Sequence, residues 1–178
     1  MSYWYIFFAL TGREQHITNR LNQHFHNEAF TTFTAFTPML EVLFRNSGKV
    51  HKEMKIMFPG YVFIESELCS VEFLQYASHL IRTSKDIIKI LKYGDSDEIA
   101  IREDERTLLM LLCNDNHCIE TSVGFAEGDR IYIEKGPLEG RESMIRKINR
   151  HKMEALIDLE IMGGLRRVAI GLEVLRKI

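Results

Sequence analysis

Cysteine is scarce in this chain. Cys69, Cys113 and Cys118 cannot all pair and form no CxxC motif, so no disulfide framework is expected and the thiols read as reduced, in a cytoplasmic protein. Long apolar runs are missing as well. The longest uncharged stretches, residues 1–12 and 29–40, are too short to cross a bilayer, and no Lys or Arg precedes the first apolar run, so neither a membrane span nor a secretory signal is expected. Catalytic signatures are absent: there is no HExxH, GxSxG, GxGxxG or phosphate-binding GxxxxGKS. Asp95 and Asp97 lie in a polar stretch and read as solvated charge. The group Cys113, His117 and Cys118 has the residue types of a metal site but no second cluster to complete four ligands, and it reads as thiols beside a surface histidine. No enzyme, cofactor or metal is expected.

What remains is an ordinary soluble composition over 178 residues, 46% hydrophobic and 27% charged, enough for one or two domains with a core. The net charge of −2 hides a split. Residues 128–178 hold 11 Lys or Arg against 8 Asp or Glu, a net +3, while the remainder carries −5. A mildly basic small domain beside an acidic larger one suits two different partners.

The first part of the chain alternates strand and helix patterns. Tyr3-Trp4-Tyr5-Ile6-Phe7-Phe8 reads as an aromatic strand. Ile17, Leu21 and Phe25 recur every four residues, predicting a helix over 14–26. Residues 30–36 alternate Phe with Thr and Ala as a strand, 41–44 form a short strand, and 45–49 a polar hairpin loop. Val71, Leu74, Ala77 and Ile81 predict a second helix with Ser70 as N-cap. Residues 87–91 form a further strand. Ile101, Leu108 and Leu112 mark one face of a third helix whose first turn is acidic, complementing the helix dipole. This is an α/β layer domain.

Residues 114–123 have little periodicity and are placed as a linker. Beyond them come short strands: 130–134, 143–149, 155–161, 168–172 and 174–178, with Gly163-Gly164 as a tight hairpin turn. Five short strands in about fifty residues predict a small all-β barrel. The expected division is 1–113, linker 114–123, and 124–178.

The organising stretch lies between the first strands and the second helix. In Phe58-Pro59-Gly60-Tyr61-Val62-Phe63-Ile64-Glu65, a Pro-Gly turn opens a strand that is apolar on both faces. Such a strand is either central core or an aromatic docking surface. Phe-Pro-Gly-Tyr-Val-Phe resembles the central signature of the NusG family of transcription elongation factors. Trp4-Tyr5 is similar to that family's opening strand, and Gly128-Asp129-Arg130-Ile131-Tyr132-Ile133 with Gly136-Pro137-Leu138 resembles the start of its KOW domain. Gly136-Pro137-Leu138-Glu139-Gly140 and Arg150-His151-Lys152 look most like the LoaP branch of operon-restricted antiterminators. One departure is Ser143, where the family pattern has Gly.

The resemblance implies an NGN-like α/β sandwich followed by an SH3-like KOW barrel. It implies that Phe8, Phe58, Tyr61 and Phe63 line a hydrophobic patch for the RNA polymerase clamp, and that Arg13 lies in a region that approaches non-template DNA. Arg141, Arg146, Lys147, Arg150, Lys152, Arg166 and Arg167 fall on two hairpins of the barrel and are candidates for binding nascent RNA, Lys and Arg being the residues that track phosphates. The barrel could instead hold a second protein. A monomeric elongation or antitermination factor is expected, and the rival reading is a ribosome-associated or RNA-scaffolding KOW protein.

Overall fold

A computed structural model describes residues 2–27, 33–128 and 130–177. In chain order they form β1 (Tyr3–Ala9), α1 (Glu14–Asn27), β2 (Phe33–Phe36), β3 (Met39–Asn46), β4 (Lys49–Ile56), β5 (Tyr61–Ser66), α2 (Ser70–Thr83), β6 (Ile87–Ile90) and α3 (Glu103–Leu112). There follow β7 (Cys118–Ile119), β8 (Ser122–Glu127), β9 (Arg130–Lys135), a 3₁₀ turn (Glu142–Met144), β10 (Ile145–Asn149), β11 (Glu154–Ile161) and β12 (Gly164–Lys177). Residues 30–32 of the expected second strand, Asp129 and Ile178 lie outside the described residues. By backbone proximity the chain forms two compact units, residues 1–37 with 58–106, and residues 38–57 with 107–178.

The first unit is built on an antiparallel sheet in the order β2-β5-β1-β6. Because side chains alternate along a strand, Tyr5, Phe7, Ala9, Phe33, Ala35, Val62 and Ile64 fall on one face. There they pack with Ile17, Leu21 and Phe25 of α1 and Phe73, Ala77 and Leu80 of α2. Tyr5 stacks on Phe73 with ring centroids 3.8 Å apart and planes 6° from parallel. The buried stripe of α2 is thus Phe73, Ala77 and Leu80, whereas Val71 and Leu74 are exposed. Apolar character alone does not say which of two adjacent stripes meets the sheet. The helix cap is Cys69, not Ser70: the Cys69 N–H donates to the Glu72 carboxylate. In α3 the buried positions are Glu105, Leu109 and Leu112, with Leu108 only half-buried.

The second unit contains a five-stranded sheet in the order β10-β11-β12-β8-β9, and a three-stranded one in the order β4-β3-β7. The expected fourth and fifth barrel strands are one strand. β12 pairs with β11 up to Gly171 and with β8 from Leu172 onward. Five strands are still reached, because β8 begins at Ser122, inside the expected linker. Residues 114–123 also hold β7, which runs parallel to β3.

β4 is exposed along nearly its whole length. Its sequence, Lys-Val-His-Lys-Glu-Met-Lys-Ile, has no apolar face to betray a strand, and it is held by pairing with β3 over eight residues. At Gly171 a Cβ would come within 2.7 Å of the Glu41 carbonyl oxygen, so only glycine lets β12 run this close to β3. The β11–β12 turn is Met162-Gly163, φ +55° and +70°, rather than Gly163-Gly164. Both residues are left-handed, as a two-residue hairpin of this twist requires. Ser143 sits in the 3₁₀ turn without a positive φ, so this position makes no demand for glycine.

Candidate functional site

The sheet face opposite the helices carries Trp4, Ile6, Phe8, Phe36, Tyr61 and Phe63, placed there by the pairings Ile6↔Phe63, Phe8↔Tyr61 and Phe36↔Phe63. The rings form a continuous chain. Trp4 meets Phe36 at 4.9 Å, Phe36 meets Phe63 at 5.4 Å, Phe63 meets Phe58 at 6.0 Å, and Phe58 meets Tyr61 at 6.2 Å. At one end the Arg106 guanidinium lies 5.3 Å over the Trp4 ring and donates to Ser2 Oγ at 2.8 Å. At the other end stands Phe8.

Burial grades along this chain. Phe63 is fully buried (0%), Phe58 and Tyr61 nearly so (4% and 8%), and Phe8 is half-buried. Of the four residues expected to line a patch, Phe58, Tyr61 and Phe63 are thus buried and Phe8 is the one partly exposed. Phe63 lies in a central strand between Trp4, Phe36 and Phe58, so its ring supports the face from within. Phe8 keeps part of its surface exposed, beside exposed Lys89 at the paired position of β6, its strand neighbour on the other side.

The turn that ends this face follows from its sequence. The Tyr61 N–H donates to the Phe58 carbonyl at 3.1 Å, closing a turn with Pro59 and Gly60 at its centre. Gly60 has φ +84°, the value that position demands after Pro in a type II turn. Its carbonyl accepts from the Ala9 N–H at 2.8 Å, fastening the turn to the end of β1. Arg13 is exposed at the start of α1, where its carbonyl accepts the Ile17 N–H.

The predicted cations of the second unit divide into committed and exposed groups. The Arg141 guanidinium folds over its own turn, donating to the Pro137 and Glu139 carbonyls. Arg167 makes two hydrogen bonds to the Asp158 carboxylate, at 2.8 and 3.3 Å, and Arg146 lies 3.5 Å from the same group. The Arg167 hydrogen bond is the main cause holding the Asp158 carboxyl below its usual range. Arg166 is exposed beside Arg167.

Arg146, Lys147 and Arg150 line one cavity of about 440 Å³, together with Arg130. Arg150 lines a second cavity, of about 410 Å³, with Arg45. Lys152 is exposed, and its N–H donates to Asn149 Oδ1 in the intervening turn. Arg130 and Arg45 were not among the sequence candidates. Arg130 opens β9 beside a conspicuous glycine, but nothing in the sequence says that this turn faces β10.

Among the described residues no group of three or more His, Cys, Asp or Glu has metal-holding geometry. Burial pushes the Cys113 thiol up to about 12. No helix is long and apolar enough to cross a membrane among the described residues.

Comparison with known proteins matches this architecture. The family model described as "Transcription termination factor nusG" matches residues 2–110. The chain is 26% identical over 137 residues to a transcription termination/antitermination protein NusG from Borreliella burgdorferi, covering 75% of this chain and 74% of the relative. It is 25% identical over 167 residues to NusG of Thermus thermophilus, with 90% of each covered, and 21% identical over 164 residues to that of Escherichia coli K12, covering 90% and 87%. A solved structure, "Domain interaction in Thermotoga maritima NusG", superposes with a TM-score of 0.50 at 16% identity over 96% of this chain and 94% of that one. The mixed α/β amino-terminal region and the all-β carboxy-terminal region are thus those of a known fold, and the chain belongs to the NusG family of transcription termination and antitermination factors.

Proposed function

We propose that this factor binds RNA polymerase at the clamp through the helix-free face of its amino-terminal domain, and RNA through its carboxy-terminal KOW barrel. The amino-terminal domain is assigned to residues 1–113, in accord with a family match that ends at 110. The barrel is assigned to 124–178, with 114–123 between them. The observation that carries the reading is the half-open Phe8 at the end of a buried aromatic row. A ring already held by Tyr61 adds contact area to a partner while losing little entropy on binding. Tyr61, itself packed on Phe58, fixes its position, and Phe63 anchors the row from below. Arg13, exposed at the start of α1, is assigned the contact with non-template DNA.

No catalytic step is invoked. A ligand that favours the elongating polymerase shifts it away from paused or terminating states by differential binding alone. The barrel's exposed Arg146, Lys147, Arg150 and Lys152 supply phosphate contacts to nascent RNA, and a protein partner is the alternative for that surface. Gly136-Pro137-Leu138-Glu139-Gly140 and Arg150-His151-Lys152 favour the LoaP-type, operon-restricted branch.

The test is affinity capture with the tagged factor. Core RNA polymerase retained with the wild type and lost with Phe8→Ala supports the assignment. Ribosomal subunits retained instead would replace it with a ribosome-associated role.

A further inference from the structure

Glu14 is a carboxylate with 1% exposure at the first position of α1. Its two oxygens do different jobs. Oε1 accepts the Gly60 N–H at 2.6 Å, and Oε2 accepts the Gly12 N–H at 2.8 Å. One side chain therefore ties together two distant segments, reaching across 46 residues of sequence to Gly60: the loop that leaves β1 and the Pro59-Gly60 turn that opens β5. A buried carboxylate needs such partners, since an ionised group taken from water without hydrogen bonds is strongly disfavoured. The start of a helix adds a favourable dipole.

What is tied matters more than the bonds themselves. At Gly60 a Cβ would come within 3.2 Å of a Phe8 ring atom and 3.3 Å of the Ala9 carbonyl oxygen. The turn thus lies directly against the ring at the open end of the aromatic row. On the other side of the carboxylate, Gly12 leads straight into exposed Arg13. Glu14 thus holds the turn that lies against Phe8 and the loop that runs into Arg13.

We infer that Glu14 is a positioning residue: it locks the Gly12 loop to the Gly60 turn, so that Phe8 and Arg13 are presented as one rigid recognition surface. This inference rests on the polymerase-docking reading above. Gln at this position keeps the shape and one acceptor but turns an amide NH₂ toward one of the two N–H groups, donor against donor. Neither amide is then fully held, and the turn beneath Phe8 loosens without a cavity forming in the core.

The experiment measures core polymerase affinity for the full chain in four forms: wild type, Glu14→Gln, Phe8→Ala and the double variant. Amide hydrogen exchange of the free protein is read alongside. Glu14→Gln is expected to weaken binding about tenfold and to speed exchange at Gly12 and Gly60 about tenfold, leaving the amides of Phe7 and Val62 unchanged. The double variant should bind core polymerase, which carries no DNA for Arg13 to meet, no worse than the weaker single one, because both changes then act through the same ring. A purely structural role would instead speed exchange across the whole sheet and give additive losses, and either result overturns the inference. Binding that Phe8→Ala leaves intact removes the docking reading and this inference with it. Binding lost in Phe8→Ala but kept in Glu14→Gln removes the role of Glu14 alone. Should Glu14→Gln not fold, Glu14→Asp keeps the charge but shortens the reach and takes its place. Wild-type Gly12 and Gly60 amides exchanging as fast as unstructured ones would overturn the inference without any variant.

Discussion

Phe8 and Tyr61 face one another across β1 and β5, their ring centroids 6.2 Å apart and their planes at 81°. The edge of one ring meets the face of the other, an arrangement that stabilises aromatic pairs beyond the area they bury. Tyr61 is the buried member and Phe8 the open one, so one holds and the other is left to be covered. Substitution should separate these roles. Phe8→Ala should weaken polymerase binding by about 1–3 kcal/mol, the range of an interface hot spot, with a much smaller change in unfolding free energy. Phe63→Ala, which empties a fully buried site, should cost about 3–5 kcal/mol of stability. Paired binding isotherms and urea unfolding curves read both. A Phe8→Ala protein as destabilised as Phe63→Ala would show Phe8 to be core.

The boundary between the two proposed domains is open to limited proteolysis. Asp115 and Asn116 are exposed in the turn that precedes β7, and exposed turns are where nicking concentrates. Cleavage there should release a fragment carrying residues 124–178 that remains folded and gives a β-type circular dichroism spectrum. The hairpin of β3 and β4 groups with residues 107–178 in the second compact unit. A fragment that unfolds unless residues 38–57 are supplied would make that hairpin part of the barrel's folding unit and move the functional boundary.

Acid should probe the attachment of that hairpin. The Glu41 carboxylate accepts Lys52 Nζ at 2.9 Å and the Thr121 N–H at 3.1 Å. Burial is the largest single influence and pushes its pKa up, but the hydrogen bonds from Lys52 and Thr121 together outweigh it, and the net shift is downward. A carboxyl whose folded pKa lies below its unfolded value stabilises the fold above the unfolded value, about 4.3 for Glu. That stabilisation is lost as pH falls through the lower, folded value. Glu41→Gln should therefore be less stable than wild type near neutrality, and the gap should close in acid, below the ordinary carboxylate range. Denaturant midpoints of the two proteins against pH make the comparison. A gap that persists unchanged into strong acid would assign the loss to packing.

Which parts of this molecule could be read in the sequence follows from what each part buries. β1, α1, β5 and β11 bury one or both faces, so their apolar periodicity announced them. β4 buries almost nothing and was invisible as a strand, although its pairing with β3 is complete. β8 is not legible as a strand, because Gly124 and small or polar neighbours dilute its alternation, and its first two residues, Ser122 and Val123, fall in the expected linker. At Gly124 a Cβ would come within 2.3 Å of the Tyr132 carbonyl oxygen, so the residue that weakened the pattern is the one the close approach requires. For the site, the signature around Gly60 located the aromatic face but not its depth. Alternation says which residues share a face, and only packing says which are covered. Glu14 gave no signal, since an acidic residue opening a helix is ordinarily a solvated one.

The basic hairpin gives the sharpest test of the second domain. Arg146, Lys147 and Arg150 line one cavity, Lys152 follows in the adjoining turn, and Arg146 and Arg167 share the carboxylate of Asp158. Adjacent strands lie under about 5 Å apart, so cations around one hairpin can meet successive phosphates. Each phosphate neutralised releases counterions, and log affinity for RNA should fall linearly with log salt concentration. Changing Arg150 and Lys152 together to Ala should weaken binding and flatten that slope by about one unit for each phosphate left without its cation. Asp158→Asn should act in the opposite sense, freeing Arg146 and Arg167 to steepen the slope and raise affinity at low salt. Polymerase capture should be unchanged in both variants, since Phe8 and its turn are untouched. The measurement is a salt titration of binding to a leader transcript from a regulated operon, with the three proteins side by side. Equal slopes for all three would remove this hairpin from RNA binding and leave the barrel's exposed surface to a protein partner.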